Sequence, residues 1–443
     1  MNNNFNNNKS NTMINTMNNN FNNNKSNTTI NTLNTLSNTL SSTPIEDTFD
    51  NRKEYNYISS LFNDLEKIKM AEIQYKQHHP EEYIDVITNN VKDIRDIVNK
   101  KTINIPRYLL SLNCRIEYMC SGSTGHFYKI IQYDEHKNKI CQFGMKLTMY
   151  NITNLSGSIY DSTRPENVEI RISKLLEQYV LNGEIPHIIL PFNTFYTDIK
   201  PFISLQCSGD NANVNDPKGR YKQFIISAKQ GMYAPIVSIN FYEYANNGDF
   251  LNFLRQNYNK LTLIEWKVFM FQILSTLAVI QSHYPGFRHN DLKANNILIH
   301  KIKKTDEKIK YKICGKNFTT PNIGYMLKLC DFDFASIRDI KQNVINQKVE
   351  TKWARKHGIT SDKNLYYDLH YFFNSLIHKG FVDKIMTDPA VPQEFVEFIN
   401  RIVPPNLRTS NYCNENGRLT QNIEFMSPQG ILFSDAFFKI FKT

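Results

Sequence analysis

The segment of the chain with the clearest chemical potential spans residues 289–296 and reads HNDLKANN. Its skeleton, H-x-D-L-K-x-x-N followed by an apolar strand, suits the transfer of a phosphoryl group to a hydroxyl. Asp291 would orient the hydroxyl and accept its proton, while Lys293 could neutralise charge on the transferring phosphate. Asn296 would return to bind Mg²⁺. The spacing therefore predicts the catalytic loop of a phosphotransferase.

A second magnesium ligand is expected at Asp331, where the apolar strand in residues 327–334, LKLCDFDF, ends. An aspartate after a strand usually only caps a loop. Its place downstream of the first motif favours the other interpretation, in which the carboxylate holds the metal against the β- and γ-phosphates of a nucleotide.

Backbone donors for those phosphates are expected within residues 119–128, MCSGSTGHFY. Gly122 and Gly125 would let a strand, a turn and a second strand approach a phosphate closely. Two glycines at this spacing are also common in ordinary turns. The phosphate-binding interpretation of this segment therefore depends on the motifs that follow it.

A cation for the same phosphates is expected at Lys146, which lies within the apolar strand FGMKL, residues 143–147. Burial of an ammonium group is costly without an anionic partner. The following helix offers Glu166 and Glu169, and we favour Glu169 because it precedes apolar residues at helical spacing. The alternative is that Glu169 is a solvated helix acid.

These residues must be positioned by two kinds of structure. From Cys114 the sequence reads as short apolar runs with turns, and from about Asn247 as longer helical segments. This order predicts an α+β fold, with a small β-rich lobe followed by a larger, mainly helical lobe. Between about 53 and 100, apolar residues recur every three or four positions, which predicts one or two amphipathic helices packed on the domain that follows.

Two segments are predicted to be insertions. Residues 206–222 are rich in Gly, Asp, Asn and Pro, which indicates a surface loop between strands of the small lobe. The segment between Asn296 and Asp331 is longer than a hairpin requires and is rich in lysine. We expect a solvated β-hairpin there, and a docking patch for anions is the alternative.

The amino terminus is a duplicated low-complexity tract, since residues 1–16 recur as 17–32 with one change, Met13 against Thr29. Such an Asn-rich tract has little apolar surface to offset the entropy of ordering. We therefore predict disorder over 1–48, a helical extension over 49–113 and the main domain over 114–443.

Composition narrows the class of protein. The 443 residues include 52 Lys+Arg and 42 Asp+Glu, which gives a net charge of +10. Mixed charges with a modest net excess are typical of a surface that keeps a protein soluble, and no specific nucleic-acid partner is predicted. The seven cysteines never form a C-x-x-C pair, which argues against a disulfide framework or a zinc site and for a reducing, intracellular setting. The run 268–287 is too polar for a lipid-facing span, and no secretory signal or transmembrane segment is expected.

Taken in order, the glycine loop, strand lysine, helix glutamate, catalytic loop and metal aspartate resemble the eukaryotic-type protein kinase superfamily over about 114–443. The resemblance implies a two-lobed kinase fold, with an antiparallel β lobe plus one helix over 114–242, a hinge and mainly helical lobe over 243–443, and ATP and Mg²⁺ between them. The backbone of Glu243 and Ala245 would bind adenine, and Asp368 would hold the catalytic loop. The remaining nucleotide contacts implied are Met119, Cys120, Ser121, Gly122, Ser123, Thr124, Gly125, His126, Phe127 and Lys146.

More narrowly, HNDLK with DFD and a reduced carboxyl-terminal lobe is similar to the poxvirus virion serine/threonine kinases and their giant-virus relatives. Lys293 favours Ser/Thr over Tyr specificity. The resemblance thus implies a viral serine/threonine-protein kinase that phosphorylates proteins in the host cytoplasm. Virion packaging, substrate identity and oligomeric state stay open.

Four features depart from the usual kinase pattern. Cys120 replaces the first loop glycine, and no A-P-E ends the activation segment, where residues 353–356 read WARK. Asp333 replaces the glycine after Asp-Phe, which should disfavour flipping of the metal-binding segment and adds a carboxylate near the metals. Asn290 replaces the arginine that in many kinases receives the activation-loop phosphate, so we expect activity without loop phosphorylation.

Two other functions remain open at this point. A pseudokinase would keep the fold and bind without transferring phosphate, but Lys146, Asp291, Asn296 and Asp331 are all present. A small-molecule phosphotransferase shares an H-x-D-x-x-x-x-N loop, but Lys293 and the hinge sequence speak against it. An assay that compares phosphate transfer to proteins with transfer to small alcohols would distinguish a protein kinase, a pseudokinase and a small-molecule phosphotransferase.

Overall fold

The computed structural model describes residues 51–62, 88, 91–98, 102–122, 125–153, 157–204, 216, 218–339, 343–378 and 380–443. The tail predicted over 1–48 lies outside these residues, as does most of the amphipathic pattern predicted after residue 62. Within the described part, helices α1 (Asn51–Ser60) and α2 (Ile105–Ser111) precede the first strand.

A five-stranded antiparallel sheet forms the first half of the described chain. Its strands are β1 (Cys114–Ser121), β2 (Gly125–Tyr133), β3 (Lys139–Thr148), β4 (Pro191–Asp198) and β5 (Ile236–Tyr242), in the order β1-β2-β3-β5-β4. Burial alternates along most of β1, while β4 is almost entirely buried. Helix α3 (Pro165–Leu181) joins β3 to β4 and packs on β4.

The amino-terminal extension packs on the same sheet. Phe62, just after α1, is fully buried and stacks on Phe241 of β5, with ring centroids 4.6 Å apart. The hydroxyl of Tyr108 in α2 donates to the carbonyl of Leu61 at 2.6 Å. Residues before the first strand therefore complete the core behind the sheet.

The connection from β4 to β5 differs from the loop predicted over 206–222. Helices α4 (Lys200–Ile203) and α5 (Arg220–Lys229) occupy its two ends, and residues 205–215 and 217 lie outside the described ones. The carboxylate of Asp216 accepts from the N–H groups of Arg220 and Tyr221, which satisfies the first turn of α5. The turn-forming residues therefore introduce a helix.

The second half of the described chain is mainly helical. Its helices are α6 (Phe250–Asn257), α7 (Leu263–His283), α8 (Lys352–Lys356), α9 (Tyr367–Leu376), α10 (Gln393–Ile402) and α11 (Pro428–Ser434). A capping box between Thr262 and Glu265 starts α7. Helix α7 has the length and mean hydropathy of a membrane span, and 78% of its most apolar window is buried inside the protein.

In the described part of the chain, seven short strands lie between these helices. They are β6 (Phe287–Arg288), β7 (Ile297–Lys301), β8 (Lys308–Ile313), β9 (Lys316–Pro321), β10 (Tyr325–Leu329), β11 (Ser336–Arg338) and β12 (Asn343–Val344). Strands β8 and β9 pair as the β-hairpin expected in the lysine-rich insertion, with Tyr311 and Ile313 buried and Lys308, Lys310 and Lys312 exposed. The hairpin extends the β7–β10 pair without separating its ends.

Candidate active site

Three charged side chains from separate elements meet at the sheet. Lys146 of β3 places its Nζ 2.5 Å and 2.7 Å from the two carboxylate oxygens of Glu169 in α3. The same Nζ lies 3.6 Å from Oδ1 of Asp331. Glu166, the alternative partner, pairs with Arg164 at 3.4 Å.

Burial strengthens the attraction between the charges of this cluster. Lys146 is 2% exposed and Glu169 is 4% exposed. Burial alone would lower the pKa of Lys146, but Glu169 and then Asp331 outweigh it, so its pKa is raised and the ammonium stays charged. The side chain of Asp331 is 37% exposed, so this carboxylate faces both the lysine and open solvent.

Strand pairing explains why Asp331 lies next to the loop 289–296 despite the long insertion. Leu329, at the end of β10, pairs with Ile297, at the start of β7. The residues just outside this pair are therefore neighbours, and the N–H of Cys330 donates to the carbonyl of Asn296 at 3.1 Å. Asn296 and Asp331 are thus brought to one end of a single strand pair.

The carboxylate of Asp291 is held by several donors. Lys293 Nζ and Asn296 Nδ2 each donate to its Oδ2 at 2.8 Å, and Asn296 Nδ2 also reaches the Asp291 carbonyl at 2.9 Å. Arg418 donates to its Oδ1. Burial would raise the pKa of Asp291, but Arg418 and Lys293 outweigh burial and lower it, so the group is ionised at neutral pH.

A buried aspartate of α9 binds the backbone of the loop 289–296. Asp368 is fully buried, and its carboxylate accepts from the N–H of His289 at 2.7 Å and of Asn290 at 2.9 Å. Asn290 has a φ of +63°, a conformation that Asn tolerates better than most residues. Its Nδ2 donates to the carbonyls of Phe334 and Thr360, so it bridges the loop to two segments that follow Asp331.

The glycine-rich segment forms the turn between β1 and β2. The N–H of Gly122 donates to the carbonyl of Gly125 at 2.9 Å, while Ser123 and Thr124 lie outside the described residues. A Cβ at Gly125 would lie 2.6 Å from the carbonyl oxygen of Leu147, so only glycine lets β2 approach β3 here. Phe127 places its ring 5.3 Å from Lys146 Nζ.

The other residues predicted around this turn sit along its two strands. Met119 and Cys120 are exposed near the end of β1, after a register shift that follows Tyr118. Ser121 Oγ and His126 Nδ1 are hydrogen-bonded at 2.6 Å across the turn. Burial lowers the pKa of His126 to about 4, against a smaller opposing effect of Asp216, so this imidazole is neutral.

The segment predicted as the hinge directly follows β5. The N–H of Glu243 donates to the carbonyl of Leu190, which leaves the Glu243 carbonyl as the backbone group able to serve a ligand. Its carboxylate accepts from the Leu190 N–H at 2.9 Å and lies 2.8 Å from Lys328 Nζ. Ala245, two residues on, is buried at the start of the following turn.

Glu54 of helix α1 is influenced electrostatically by this pair. Burial raises the pKa of Glu54 to about 7, with a smaller increase from Glu243 and an opposing effect of Lys328. Helix α1 therefore contributes a carboxyl group whose charge state responds to Glu243 and Lys328.

Lys328 and Arg418 were missed by the sequence analysis for different reasons. Lys328 carries the same signal as Lys146, a lysine within an apolar strand, and it is fully buried. Arg418 lies in a polar segment with no recognisable motif, 127 residues from Asp291 in the chain. Only the first of these two residues had a signal that could have revealed it.

The donor set suits Mg²⁺, which prefers oxygen ligands and keeps several waters. Asp331 supplies a partly exposed carboxylate, and Asn296 directs its amide nitrogen toward Asp291, which leaves the oxygen as the ligand end. Asp333, the further carboxylate predicted near the metals, is buried, and Lys348 Nζ lies 3.4 Å from its Oδ2.

Sequence comparisons agree with this geometry. Residues 229–439 match the family model described as poxvirus serine/threonine protein kinase. A protein of Acanthamoeba polyphaga mimivirus, named serine/threonine-protein kinase R400, is 39% identical over 379 residues, which cover 84% of this chain and 76% of the relative. Serine/threonine-protein kinase 2 of Swinepox virus is 30% identical over 143 residues, which cover 31% of this chain and 28% of the relative. The chain therefore belongs to the protein kinase superfamily, among the serine/threonine-protein kinases.

Proposed function

We propose that this protein transfers the γ-phosphate of ATP, in the presence of Mg²⁺, to serine and threonine hydroxyls of proteins. The observation that carries the proposal is the contact of Lys146 with both Glu169 and Asp331, beside a strand pair that leads from Asp331 to Asn296 and Asp291. A lysine clamped by a helix glutamate next to a metal-binding aspartate is the arrangement that phosphate binding requires in kinases.

The nucleotide would lie between a sheet-rich lobe, 114–242, and a mainly helical lobe, 243–443. Lys146 would contact its phosphates, because its ammonium faces the partly exposed Asp331. The turn between β1 and β2 would cover the phosphates, with Gly125 permitting the close packing of β2 on β3. The Glu243 carbonyl and the Ala245 backbone would bind adenine, and the 49–113 extension would brace the small lobe.

Asp331 and Asn296 would hold the metal, which when bound neutralises charge on the β- and γ-phosphates. Asp291 would align the acceptor hydroxyl and take its proton. Its ionised carboxylate and the donors at Oδ2 fix the direction in which it can accept. Catalysis would then come mainly from positioning and from charge neutralisation by Lys146, Lys293 and the metal.

Phosphate transfer from radiolabelled ATP to generic acidic and basic proteins tests the proposal. We expect phosphoserine and phosphothreonine, loss of transfer on chelation of Mg²⁺, and loss of at least about 1,000-fold in Asp291→Asn. Asp306→Asn, an exposed aspartate in the insertion, is the matched control and should keep full activity.

Three other outcomes would contradict the proposal. ATP binding without transfer would indicate a pseudokinase, and transfer to small alcohols alone would indicate a small-molecule phosphotransferase. Phosphotyrosine as the main product would refute the specificity assigned from Lys293. Because the relatives include mimivirus and poxvirus proteins, we also infer a viral origin and an action inside the infected cell.

A further inference from the structure

An arginine outside every recognised motif contacts the proposed catalytic aspartate. Arg418 is 8% exposed and lies in the segment between α10 and α11. Its Nη1 donates to the carbonyl of Asn290 and its Nη2 to Oδ1 of Asp291. The guanidinium also lies over the ring of Tyr371 in α9, 4.0 Å from the ring centroid, and this contact adds to the two hydrogen bonds that orient it.

The segment that carries Arg418 is itself fixed to the helical core. The N–H of Arg418 donates to Oδ1 of Asn414 at 3.1 Å, and Nδ2 of Asn374 donates to the Gly417 carbonyl at 2.8 Å. The backbone of Leu419 packs so closely on Gly358 that a Cβ there would clash with its carbonyl. Arg418 is therefore presented from a rigid turn that bridges α9 and the end of the activation segment.

The two oxygens of Asp291 receive different donors. Oδ2 accepts from Lys293 and Asn296, which belong to the same loop, whereas Oδ1 accepts from Arg418, which belongs to a distant segment. A guanidinium that spans a carbonyl and the next residue's carboxylate defines both the position and the rotation of that carboxylate. A lysine could engage only one of these two acceptors in a defined direction.

Arg418 also provides a permanent cation at a loop that has Asn290 where many kinases have a phosphate-binding arginine. The Asn290 side chain bonds two backbone carbonyls, so in this structure it serves as a neutral bridge. The electrostatic ordering of the catalytic loop comes instead from Arg418 and Asp368, both of which are buried and contributed by the chain itself.

We propose that Arg418 is a positioning residue for phosphate transfer: it holds Asp291 in the orientation that aligns the acceptor hydroxyl, in place of an activation-loop phosphate. The inference rests on the proposed function, because Asp291 acts there on the acceptor. Loss of the Arg418 side chain would misalign the Asp291 carboxylate and leave the nucleotide-binding residues around Lys146 unchanged.

Steady-state kinetics of the full chain test this role, with Arg418→Gln, Arg418→Lys and the control Arg401→Gln. Arg401 of α10 is largely exposed and pairs with Asp435, which follows α11, at 2.9 Å. In Arg418→Gln we expect kcat to fall by about 10- to 100-fold, with KM for ATP within about twofold of wild type, since a small misplacement of a catalytic group has effects of this size. Arg418→Lys should recover part of the loss, and Arg401→Gln should match wild type.

Nucleotide affinity by calorimetry and the thermal midpoint show whether each variant is folded. An unchanged kcat in a folded Arg418→Gln protein would overturn the inference, as would a parallel loss of kcat and ATP affinity. If Arg418→Gln does not fold, Arg418→Lys tests the role instead. A kcat that is lower by about threefold or more, with normal ATP binding, supports the role of Arg418. A kcat equal to that of wild type refutes it. A wild type that transfers no phosphate would instead refute the proposed function.

Discussion

Breaking the Lys146–Glu169 pair should destabilise the protein, whereas replacing the pair with apolar residues should cost little stability, and both changes should abolish activity. In Glu169→Ala, the ammonium of Lys146 stays 2% exposed and keeps only the 3.6 Å contact with Asp331. Removing one partner of a buried ion pair costs about 3–5 kcal/mol. In the double variant Lys146→Met/Glu169→Leu both charges are gone, and apolar side chains of similar volume fill the site.

The double variant should therefore recover most of the stability, because an isosteric apolar pair often equals or exceeds a buried ion pair by about 1–4 kcal/mol. Asp331 adds little penalty when its lysine is lost, since its side chain is 37% exposed and remains hydrated. For a folded unit of roughly 400 residues, an unfolding entropy of about 0.8 kcal/mol per kelvin converts the single-variant loss to about 4–6 °C in Tm.

The assay combines thermal unfolding without nucleotide and phosphate transfer from ATP. Both variants should be inactive, whereas only Glu169→Ala should unfold early. Glu117→Ala is the control, because its pair with Arg115 at 3.1 Å is largely solvated and should be worth less than about 1 kcal/mol. A double variant as unstable as Glu169→Ala would refute the reasoning, since the loss would then not come from a buried ammonium that has lost its closest carboxylate.

Three further predictions concern the extension, the hinge and regulation. Phe62→Ala should lower the free energy of unfolding by about 3–5 kcal/mol in urea titrations, because a fully buried ring stacked on Phe241 is removed, and a loss below about 1 kcal/mol would mean that the extension does not complete the core. Because the pKa of Glu54 is raised to about 7 in the folded protein, ionisation costs stability as pH rises from about 4.5 to 7, by at most ~3 kcal/mol. Glu54→Gln should therefore be more stable than wild type at pH 8 but not at pH 4.5, while Glu135→Gln in an exposed turn should follow wild type at both. Phosphatase treatment should leave kinase activity unchanged, since the side chain of Asn290 already bonds two backbone carbonyls, and abolished turnover would contradict this.

The tertiary contacts divide the site into parts that the sequence could predict and parts that it could not. Asn296 reaches Asp291 through the short 3₁₀ turn Ala294–Asn296, so their spacing already encodes the contact. Asp331 follows an apolar strand, and pairing of that strand with the one after Asn296 accounts for its place. These relations are local or depend on one strand pair, and residue type and periodicity are sufficient to predict them.

The sequence by itself determined the order of the chemical groups and the lysines that require a buried partner, because hydrophobic pattern and the cost of burying charge act on each segment separately. Only the tertiary structure decided that Lys328 meets Glu243, that Phe62 fills the space behind the sheet and that Arg418 reaches Asp291. Each of these contacts joins residues far apart in the chain. Their partners depend on how all the helices and strands pack together, and no local spacing carries that information.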